Sequence, residues 1–186
     1  MRMPRIVLAA AASGSGKTTV TCGILKALAN RGIAVASFKC GPDYIDPMFH
    51  SRVIGTESGN LDTFFTDYKT TRYLFGHIAS EAEISVIEGV MGYYDGLGGI
   101  SERASSADVA AALEAPVVLV VNCRGMSISV LALIKGFLEF ERPRRIQGVI
   151  LNQLPAGLYQ DLKDEIESRI PVRVLGYVPK TEVLAL

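Results

Sequence analysis

The 186-residue sequence lacks tryptophan, holds only three cysteines and two histidines, and carries no net charge. Cys22, Cys40 and Cys123 show no CxxC spacing, which argues against paired-cysteine metal or redox motifs and favours reduced thiols in the cytoplasm. His50 and His77 lack metal-ligand spacing, so we expect ordinary surface or packing residues. Because 19 basic residues balance 19 acidic ones, no general attraction to nucleic acid or an anionic membrane is expected.

Long apolar runs are also missing, since none approaches the roughly 18 to 20 residues that a membrane-spanning helix needs. The first residues, MRMPRIVLAAAASGSGK, have the positive, apolar and small-residue order of a secretory signal. The apolar part runs directly into a glycine-rich loop, which favours a buried strand instead. We therefore expect no membrane partner.

Short apolar runs alternate with helical patterns along the chain. Most of the runs are continuously apolar, as expected of parallel strands covered on both faces, and they occupy residues 5–11, 34–39, 84–88, 116–122, 146–152 and 172–178. Helical patterns occupy residues 18–31, 63–79, 106–114, 127–140 and 158–169. This alternation predicts a doubly wound α/β domain with a mostly parallel sheet.

A glycine-rich stretch, Ser13-Gly14-Ser15-Gly16-Lys17-Thr18-Thr19, follows the first predicted strand and opens a predicted helix, as a phosphate-binding loop does. Glycines let backbone N–H groups point at phosphates, and the helix N-terminus adds a partial positive charge. We expect Lys17 to reach the β- and γ-phosphates and Thr18 to ligate Mg²⁺. Thr19 stands where a dinucleotide-binding GxGxxG motif has its third glycine, which argues against that class.

The loop departs from the strict GxxxxGK[ST] pattern, because Ala11 stands at the position of the first glycine. The departure is modest, since Gly14 and Gly16 remain to cradle the phosphates. A variant loop, that of the partition and nitrogenase-iron-protein ATPases, carries an additional early lysine, and Ala12 occupies that place here. A partition-type ATPase switch therefore stays an alternative that the loop does not favour.

Two acidic stretches follow the second and third predicted strands. They are FKCGPDYIDP, residues 38–47, and EGVMGYYDG, residues 88–96. Open α/β sheets bind their ligands at the carboxyl ends of strands, and carboxylates that face a phosphate loop hold Mg²⁺ in phosphoryl-transfer sites. The sequence therefore predicts such a site at this edge of the sheet.

These motifs resemble the cobyrinic acid a,c-diamide synthase family, in which a dethiobiotin-synthetase-like ATP domain precedes a class I glutamine amidotransferase domain. The resemblance runs from Arg5 to the last residues, through SGSGKTT, FKCGPDYIDP, NLD, EGVMGYYDG, APVVLVVN, GVILN and LGYVP. In the family the leading glycine of the loop falls at the position of Ala10, so that glycine too is replaced. The resemblance implies a P-loop NTPase fold of the dethiobiotin synthetase type.

The family's chemistry is implied with it: ATP-dependent amidation of the a and c carboxylates of a corrin precursor through an acyl phosphate. Nickel sirohydrochlorin is the substrate of a close relative, so a tetrapyrrole is the expected substrate class. Asp43 and Glu88 are then expected to ligate Mg²⁺ with Thr18. Asp46 is expected near the reacting carboxylate or a second metal, and Lys39 is expected to pair with the substrate carboxylate or the γ-phosphate. Lys17, Lys39, Asp46 and Glu88 form the expected catalytic set.

Substrate and base contacts are implied at other positions. Tyr44, Asp46 and Asp95 are expected in the substrate pocket, and Asn152 matches the position that reads adenine in dethiobiotin-synthetase-like enzymes. Simpler roles stay open, because an aspartate beside glycine or proline often only shapes a turn. The aspartates at 43, 46 and 95 and the asparagine at 152 allow that simpler role, and Lys39 could be a solvated strand-end charge.

A glutaminase site is not found in the sequence. A class I glutaminase needs a nucleophilic cysteine on a strand-to-helix turn and a downstream histidine. No cysteine lies in a Gly-x-Cys-x-Gly elbow, and both histidines precede Cys123. The sequence also stops in an apolar stretch, VPKTEVLAL, just after a predicted strand. We therefore interpret residues 1–186 as an ATP-binding amidoligase domain truncated before a glutaminase domain that supplies ammonia, with a subunit that needs a separate partner as the alternative. We expect a homodimer. A small-molecule kinase, which would release a stable phosphorylated product, is a further alternative.

Overall fold

A computed structural model describes residues 3–140 and 143–181 of the chain. The residues 182–186, on which the expected truncation partly rests, lie outside that range. Seven strands form one sheet in the order β3-β2-β4-β1-β5-β6-β7, and every neighbouring pair is parallel. They are β1 Arg5–Ala10, β2 Val35–Cys40, β3 Glu57–Leu61, β4 Ile84–Glu88, β5 Val117–Asn122, β6 Ile146–Leu154 and β7 Arg173–Pro179.

In the described part of the chain six α-helices connect the strands, and a π-helical turn (His50–Ile54) continues the second of them. They are α1 Lys17–Asn30, α2 Ile45–Phe49, α3 Tyr68–Ala79, α4 Ser106–Leu113, α5 Val130–Phe140 and α6 Tyr159–Arg169. The predicted doubly wound α/β fold is thereby confirmed, with a sheet that is entirely parallel over the described residues. No helix in residues 3–140 and 143–181 is both long and apolar enough to cross a membrane.

Two elements had not been predicted, β3 and α2. The sequence of β3, ESGNL, lies at the sheet edge and is mostly exposed or half-exposed, so it carries no apolar run. Two predicted helices begin several residues later in the structure than the sequence predicted. Asp67 caps α3 by accepting a hydrogen bond from Thr70 N, which places the start of this helix at Tyr68 rather than at residue 63; α5 begins at Val130 rather than at residue 127.

The core lies on both faces of the sheet. On one face α1 contributes Leu25, which packs with Leu8, Val35 and Val86 of the strands, and α1 also contacts the π-helical turn. On the other face, α3 to α6 bury apolar side chains such as Phe75, Ile134 and Ile166 in one large cluster. Coverage on both faces explains why the central strands are continuously apolar.

Strand order places the site. Strand β1 lies between β4 and β5. From β1 the chain first adds strands on the β4 side of the sheet and later adds strands on the β5 side, so the strand order reverses at β1. Open α/β sheets bind ligands at the carboxyl ends of the strands at such a switch point. Register then sets the neighbours. Lys39 pairs with Glu88 across β2 and β4, and Leu8 pairs with Glu88 across β1 and β4. The loop that follows β1 thus lies beside both charged side chains.

Candidate functional site

The phosphate loop connects β1 to α1 and takes the left-handed conformation at two glycines. Gly14 has φ 72° and Gly16 has φ 86°, a region in which only glycine is free of steric cost. Ala10 and Ala11 do not share this conformation. Ala10 ends β1 and is buried against Val20 and Val120. Alanine at both positions is therefore compatible with the backbone, which explains the departure from the strict glycine pattern.

The first turn of α1 is left open for an anion. Gly16 occupies the N-cap position, no side chain caps the helix, and no acidic residue lies in its first turn. The leading N–H groups of a helix need partners, and the helix dipole favours negative charge there. A phosphate group supplies both requirements.

Lys17 lies over this loop and is almost completely buried. Its Nζ donates hydrogen bonds to Met91 O at 2.5 Å and to Ala12 O at 3.3 Å. Burial lowers the pKa of Lys17, and the nearby charge of Lys39 lowers it further, although Glu88 and Asp95 partly offset these effects. Two neutral carbonyls compensate this desolvated cation incompletely, so an anion beside it would be strongly stabilised.

Glu88 joins the loop to the acidic stretches. It ends β4, is completely buried, and its Oε1 accepts hydrogen bonds from Thr18 Oγ1 at 2.5 Å and Lys39 Nζ at 2.8 Å. Lys39 Nζ also lies 2.6 Å from Asp46 Oδ2. The structure therefore brings together four of the predicted site residues, which come from β2, β4 and the first turns of α1 and α2.

The charges in this cluster stabilise one another. Burial raises the pKa of Glu88, but the surrounding His50, Lys39 and Thr18 outweigh burial and hold that pKa below its ordinary value. Burial lowers the pKa of Lys39, yet the charge of Glu88 and the hydrogen bond to Asp46 outweigh it and raise that pKa. Glu88 is thus a carboxylate and Lys39 a cation near neutral pH.

A nucleotide-bound Mg²⁺ fits the residues that are present. Within the described ranges no group of three or more His, Cys, Asp or Glu side chains could hold a metal ion. Mg²⁺ does not need one, because it is usually held by one or two protein oxygens together with waters and substrate phosphates. Thr18 Oγ1 and Glu88 Oε1 are two such hard oxygen donors, 2.5 Å apart.

Asp43, also predicted as a metal ligand, shapes the start of α2. Its Oδ1 accepts hydrogen bonds from Ile45 N at 2.9 Å and Asp46 N at 3.4 Å. Asn60 Nδ2 in turn donates to the backbone oxygens of Asp43 and Gly41. Asp43 therefore stabilises a turn, as the simpler interpretation of the sequence allowed, and its role as a metal ligand stays a prediction.

Two predicted substrate residues, Tyr44 and Asp95, lie in the segments that follow β2 and β4. Tyr44 is 73% exposed at the start of α2. Asp95 is also exposed, and its Oδ2 accepts a hydrogen bond from Gly92 N at 3.0 Å. A Cβ at Gly92 would lie 2.3 Å from that oxygen and 2.8 Å from the backbone oxygen of Ala11, which cannot move aside as a side chain can, so glycine is required there. Asp95 therefore closes a tight turn beside Lys17, and its contact with substrate is untested.

Asn152 supports the phosphate loop from below. Its Nδ2 donates a hydrogen bond to Ser15 O at 2.9 Å, and the side chain is buried. A Cβ added at Gly16 would lie 2.2 Å from the same nitrogen. The loop and β6 thus interlock at Asn152, which the sequence had connected only with adenine. That role remains a prediction.

His50 is the functional candidate that the sequence analysis missed. The side chain is completely buried, and its Nε2 lies 3.5 Å from Glu88 Oε2. A usable signal was its spacing of four residues from Asp46, which places both on one side of a helical stretch. His77, in contrast, is an exposed residue of α3 that stacks on Tyr73, as expected.

The three thiols are free, and each is protonated near neutral pH. Burial raises the pKa of Cys22 to about 11, of Cys40 to about 12 and of Cys123 to about 11. Reactive cysteines have a lowered pKa instead. These thiols therefore suit packing, in agreement with the lack of a glutaminase elbow.

Sequence comparison identifies similar proteins over nearly the whole chain. The chain is 46% identical to the cobyrinate a,c-diamide synthase of Listeria innocua, covering 99% of this chain and 41% of that protein. It is 47% identical to the hydrogenobyrinate a,c-diamide synthase of Streptomyces coelicolor, covering 94% and 36%, respectively. The cobyrinate a,c-diamide synthase of Methanocaldococcus jannaschii is 40% identical over 98% of this chain and 41% of that protein. The chain spans about two-fifths of the length of these relatives, and the predicted resemblance is confirmed.

Solved structures share the fold at low sequence identity. Chloroplast FtsY from Physcomitrella patens superposes with a TM-score of 0.69 and 14% identity, covering 97% of this chain and 60% of that chain. The hydrogenase maturation factor HypB from Archaeoglobus fulgidus gives a TM-score of 0.61 and 12% identity, covering 94% and 80%. These similarities confirm the predicted α/β fold class.

The family assignment rests on nearly the whole sequence and not on the loop alone. The sequence model of the CobQ/CobB/MinD/ParA nucleotide binding domain matches residues 6–186, from the first strand onward. The matched range includes the phosphate loop, the Lys39–Glu88 pair and Asn152. The chain therefore belongs to the CobQ/CobB/MinD/ParA nucleotide binding domain family.

Proposed function

We propose that this chain binds ATP with Mg²⁺ and activates the a and c carboxylates of cobyrinic acid or a related tetrapyrrole for amidation. One observation carries the proposal: Glu88 contacts both Thr18 of the phosphate loop and Lys39 of the acidic cluster. A nucleotide site and a site for an anionic acceptor are thereby adjacent. The names of the 40–47% identical relatives support the substrate class.

The chemistry requires two transfers. A substrate carboxylate oxygen attacks the γ-phosphorus while the bond to the bridging oxygen of ADP breaks, which gives an acyl phosphate and ADP. Ammonia then attacks the acyl carbon, phosphate leaves with the carbon–oxygen electron pair, and the nitrogen loses a proton to give the amide. Catalysis of the first step depends on alignment and on neutralising the charge of the transferring group.

The residues of the cluster divide this work. The backbone from Ser13 to Lys17 holds phosphate oxygens, and Lys17 exchanges its carbonyl partners for them. Thr18 and Glu88 would hold Mg²⁺, which supplies neutralisation of phosphate charge when it is bound. Lys39 lies between Asp46 and Glu88, where it can attract the anionic carboxylate and stabilise the transferring phosphoryl group.

We propose four further roles at this site. Asp43 is a further metal ligand, Tyr44 and Asp95 contact the substrate, and Asn152 reads adenine. We also propose that glutamine-derived ammonia comes from a glutaminase domain outside these residues. A homodimer in the cytoplasm, without nucleic-acid or membrane partners, completes the proposal.

The test supplies the protein with ATP, Mg²⁺, ammonium and candidate tetrapyrrole acids, and measures ADP and product mass. We expect each amidation to replace OH by NH₂ in the product mass, with one ADP released. Glu88→Gln should keep the fold and lose about 10²–10³-fold in Mg²⁺-dependent turnover. A stable phosphorylated product without ammonia dependence would favour a kinase, and ATP turnover without any substrate change would favour a switch ATPase.

A further inference from the structure

His50 is a buried polar side chain whose described surroundings offer it one polar partner. In the described part of the chain neither ring nitrogen has a hydrogen bond, and Oε2 of Glu88 also has none. The two meet at 3.5 Å, between His50 Nε2 and Glu88 Oε2. Buried polar groups are nearly always paired. Two buried groups that have no hydrogen bond and lie slightly beyond hydrogen-bond distance of each other therefore need an explanation, and a functional role is one.

The backbone of His50 is fixed more firmly than its ring. His50 O accepts hydrogen bonds from Gly55 N at 3.0 Å and from Thr56 N at 3.1 Å. Thr56 Oγ1 donates to the same oxygen and lies 2.8 Å from Ser37 Oγ on β2. The π-helical turn is thereby tied to the strand that carries Lys39. Single-turn π-helices are frequent at functional sites.

The two oxygens of Glu88 have different surroundings. Oε1 is occupied by Thr18 and Lys39, the two groups that must change partners when phosphates and a metal arrive. Oε2 has no hydrogen bond among the described residues, and His50 Nε2 lies 3.5 Å from it. One oxygen of the carboxylate therefore carries the exchangeable contacts, and the other lies beside a histidine ring that has no hydrogen bond in the described part of the chain.

We propose that His50 is a positioning residue that holds Glu88 Oε2, so that Oε1 stays directed at the phosphate loop when Lys39 and Thr18 move to their ligands. This inference rests on the proposed role of Glu88 in holding nucleotide-bound Mg²⁺. His50 Nε2–H donates to Oε2, and a small closure of the 3.5 Å gap forms the hydrogen bond. A partner behind a metal-ligating carboxylate fixes its orientation, and its loss typically weakens metal binding by about 10- to 100-fold.

The test compares His50→Leu, which removes the donor, with His50→Gln, which keeps a side-chain N–H. The matched control is His77→Leu on the surface of α3. ADP affinity is measured calorimetrically for each variant in excess Mg²⁺ and in EDTA, and the ratio of the two affinities is the Mg²⁺ gain. This ratio reports on metal binding without any turnover.

We expect His50→Leu to lose about 10- to 100-fold in the Mg²⁺ gain, with the EDTA affinity nearly unchanged. His50→Gln should retain most of the gain, and His77→Leu all of it. If His50→Leu does not fold, His50→Met fills the space with a flexible side chain and serves as the variant without the donor.

Two results would overturn the positioning role. One is a wild-type Mg²⁺ gain in the variant without the donor; the other is an equal loss in His50→Gln, which would show that the ring only fills space. A wild-type protein that shows no Mg²⁺ gain at all would instead contradict the proposed function, and the positioning role with it.

Discussion

The two sides of Glu88 are built in opposite ways. On one side the phosphate loop assembles from consecutive residues, and Gly14, Gly16 and Lys17 lie within four positions of one another. On the other side Lys39 and His50 reach Glu88 from 49 and 38 positions away, because β2 and β4 are paired and a π-helical turn folds back. The loop is a local structure, whereas the acidic side exists only in the completed sheet.

The difference separates two kinds of requirement. The loop depends on backbone conformation, since it needs left-handed residues at two positions and a close approach to Asn152. The acidic side depends on charge balance among buried groups, since Lys39 compensates both Glu88 and Asp46. Changes in the loop should therefore act through geometry and phosphate binding, and changes in the acidic side through electrostatics and pH.

The largest effect is expected on the loop side from Lys17→Met. The variant loses the cation that is poised for the phosphates, so turnover should fall about 10²–10³-fold and ATP affinity should fall as well. Lys26→Met, on the exposed part of the same helix, is the control and should behave as wild type. Turnover within a few-fold of wild type in Lys17→Met would remove the lysine from the catalytic set.

A pair of glycine variants tests the backbone requirements of the phosphate loop. Alanine at Gly14 meets only the left-handed penalty of about 1–2 kcal/mol, because nothing lies within 4 Å of its Cβ position. Gly16→Ala adds a clash with Asn152 Nδ2 and should destabilise the protein more in urea denaturation. Asn152→Ala should recover part of that difference. Equal unfolding free energies for the two alanine variants would contradict the interlock.

Acid unfolding tests the charge balance on the acidic side of Glu88. The pKa of Glu88 lies below its ordinary value of 4.5, so the stability from its ionised form is present above that value. This stability is lost as the pH falls through the lower folded pKa. In Lys39→Met the charge that lowers the pKa of Glu88 is lost, so the effect of burial dominates and the pKa of Glu88 rises. The midpoint of acid unfolding should therefore move up by about one pH unit or more.

The control for this shift is Lys135→Met, which removes a solvent-exposed lysine that pairs with Glu139 at 3.9 Å. An exposed pair contributes little to stability, so its acid midpoint should match that of the wild type. An unchanged midpoint in Lys39→Met would show that Lys39 does not set the ionisation of Glu88.

The smallest effect is expected where the sequence departs from the usual loop pattern. Ala11→Gly restores the strict glycine, but Ala11 does not have a positive φ, so a glycine gains nothing in the folded state. It should lower the unfolding free energy by about 0.5–1 kcal/mol and leave ATP affinity unchanged. A large gain in affinity would mean that the loop does need a glycine there.

The same contrast explains what the sequence could predict. The parallel fold, six of the strands and the phosphate loop follow from local patterns: apolar runs, helix periodicity and glycine spacing. The Lys39–Glu88 contact was expected only in outline, because its register depends on the whole sheet. Strand β3 and His50 were missed, since ESGNL has no apolar signal and a lone histidine carries none of its own. Asn152 was predicted at the end of a strand that continues to Leu154 in the structure, and its contact with Ser15 depends on a loop 137 residues away.

The contact between Thr18 and Glu88 joins the local loop to the non-local cluster, and we expect these two residues to act as one unit. A double-mutant cycle with Thr18→Val and Glu88→Gln, read as the Mg²⁺ gain in ATP affinity, measures their coupling. We expect the double variant to lose little more than the worse single variant, because both act on the same metal contact, whereas the losses from Thr19→Val and Glu88→Gln should be additive. Additive losses for Thr18→Val and Glu88→Gln would contradict this expectation.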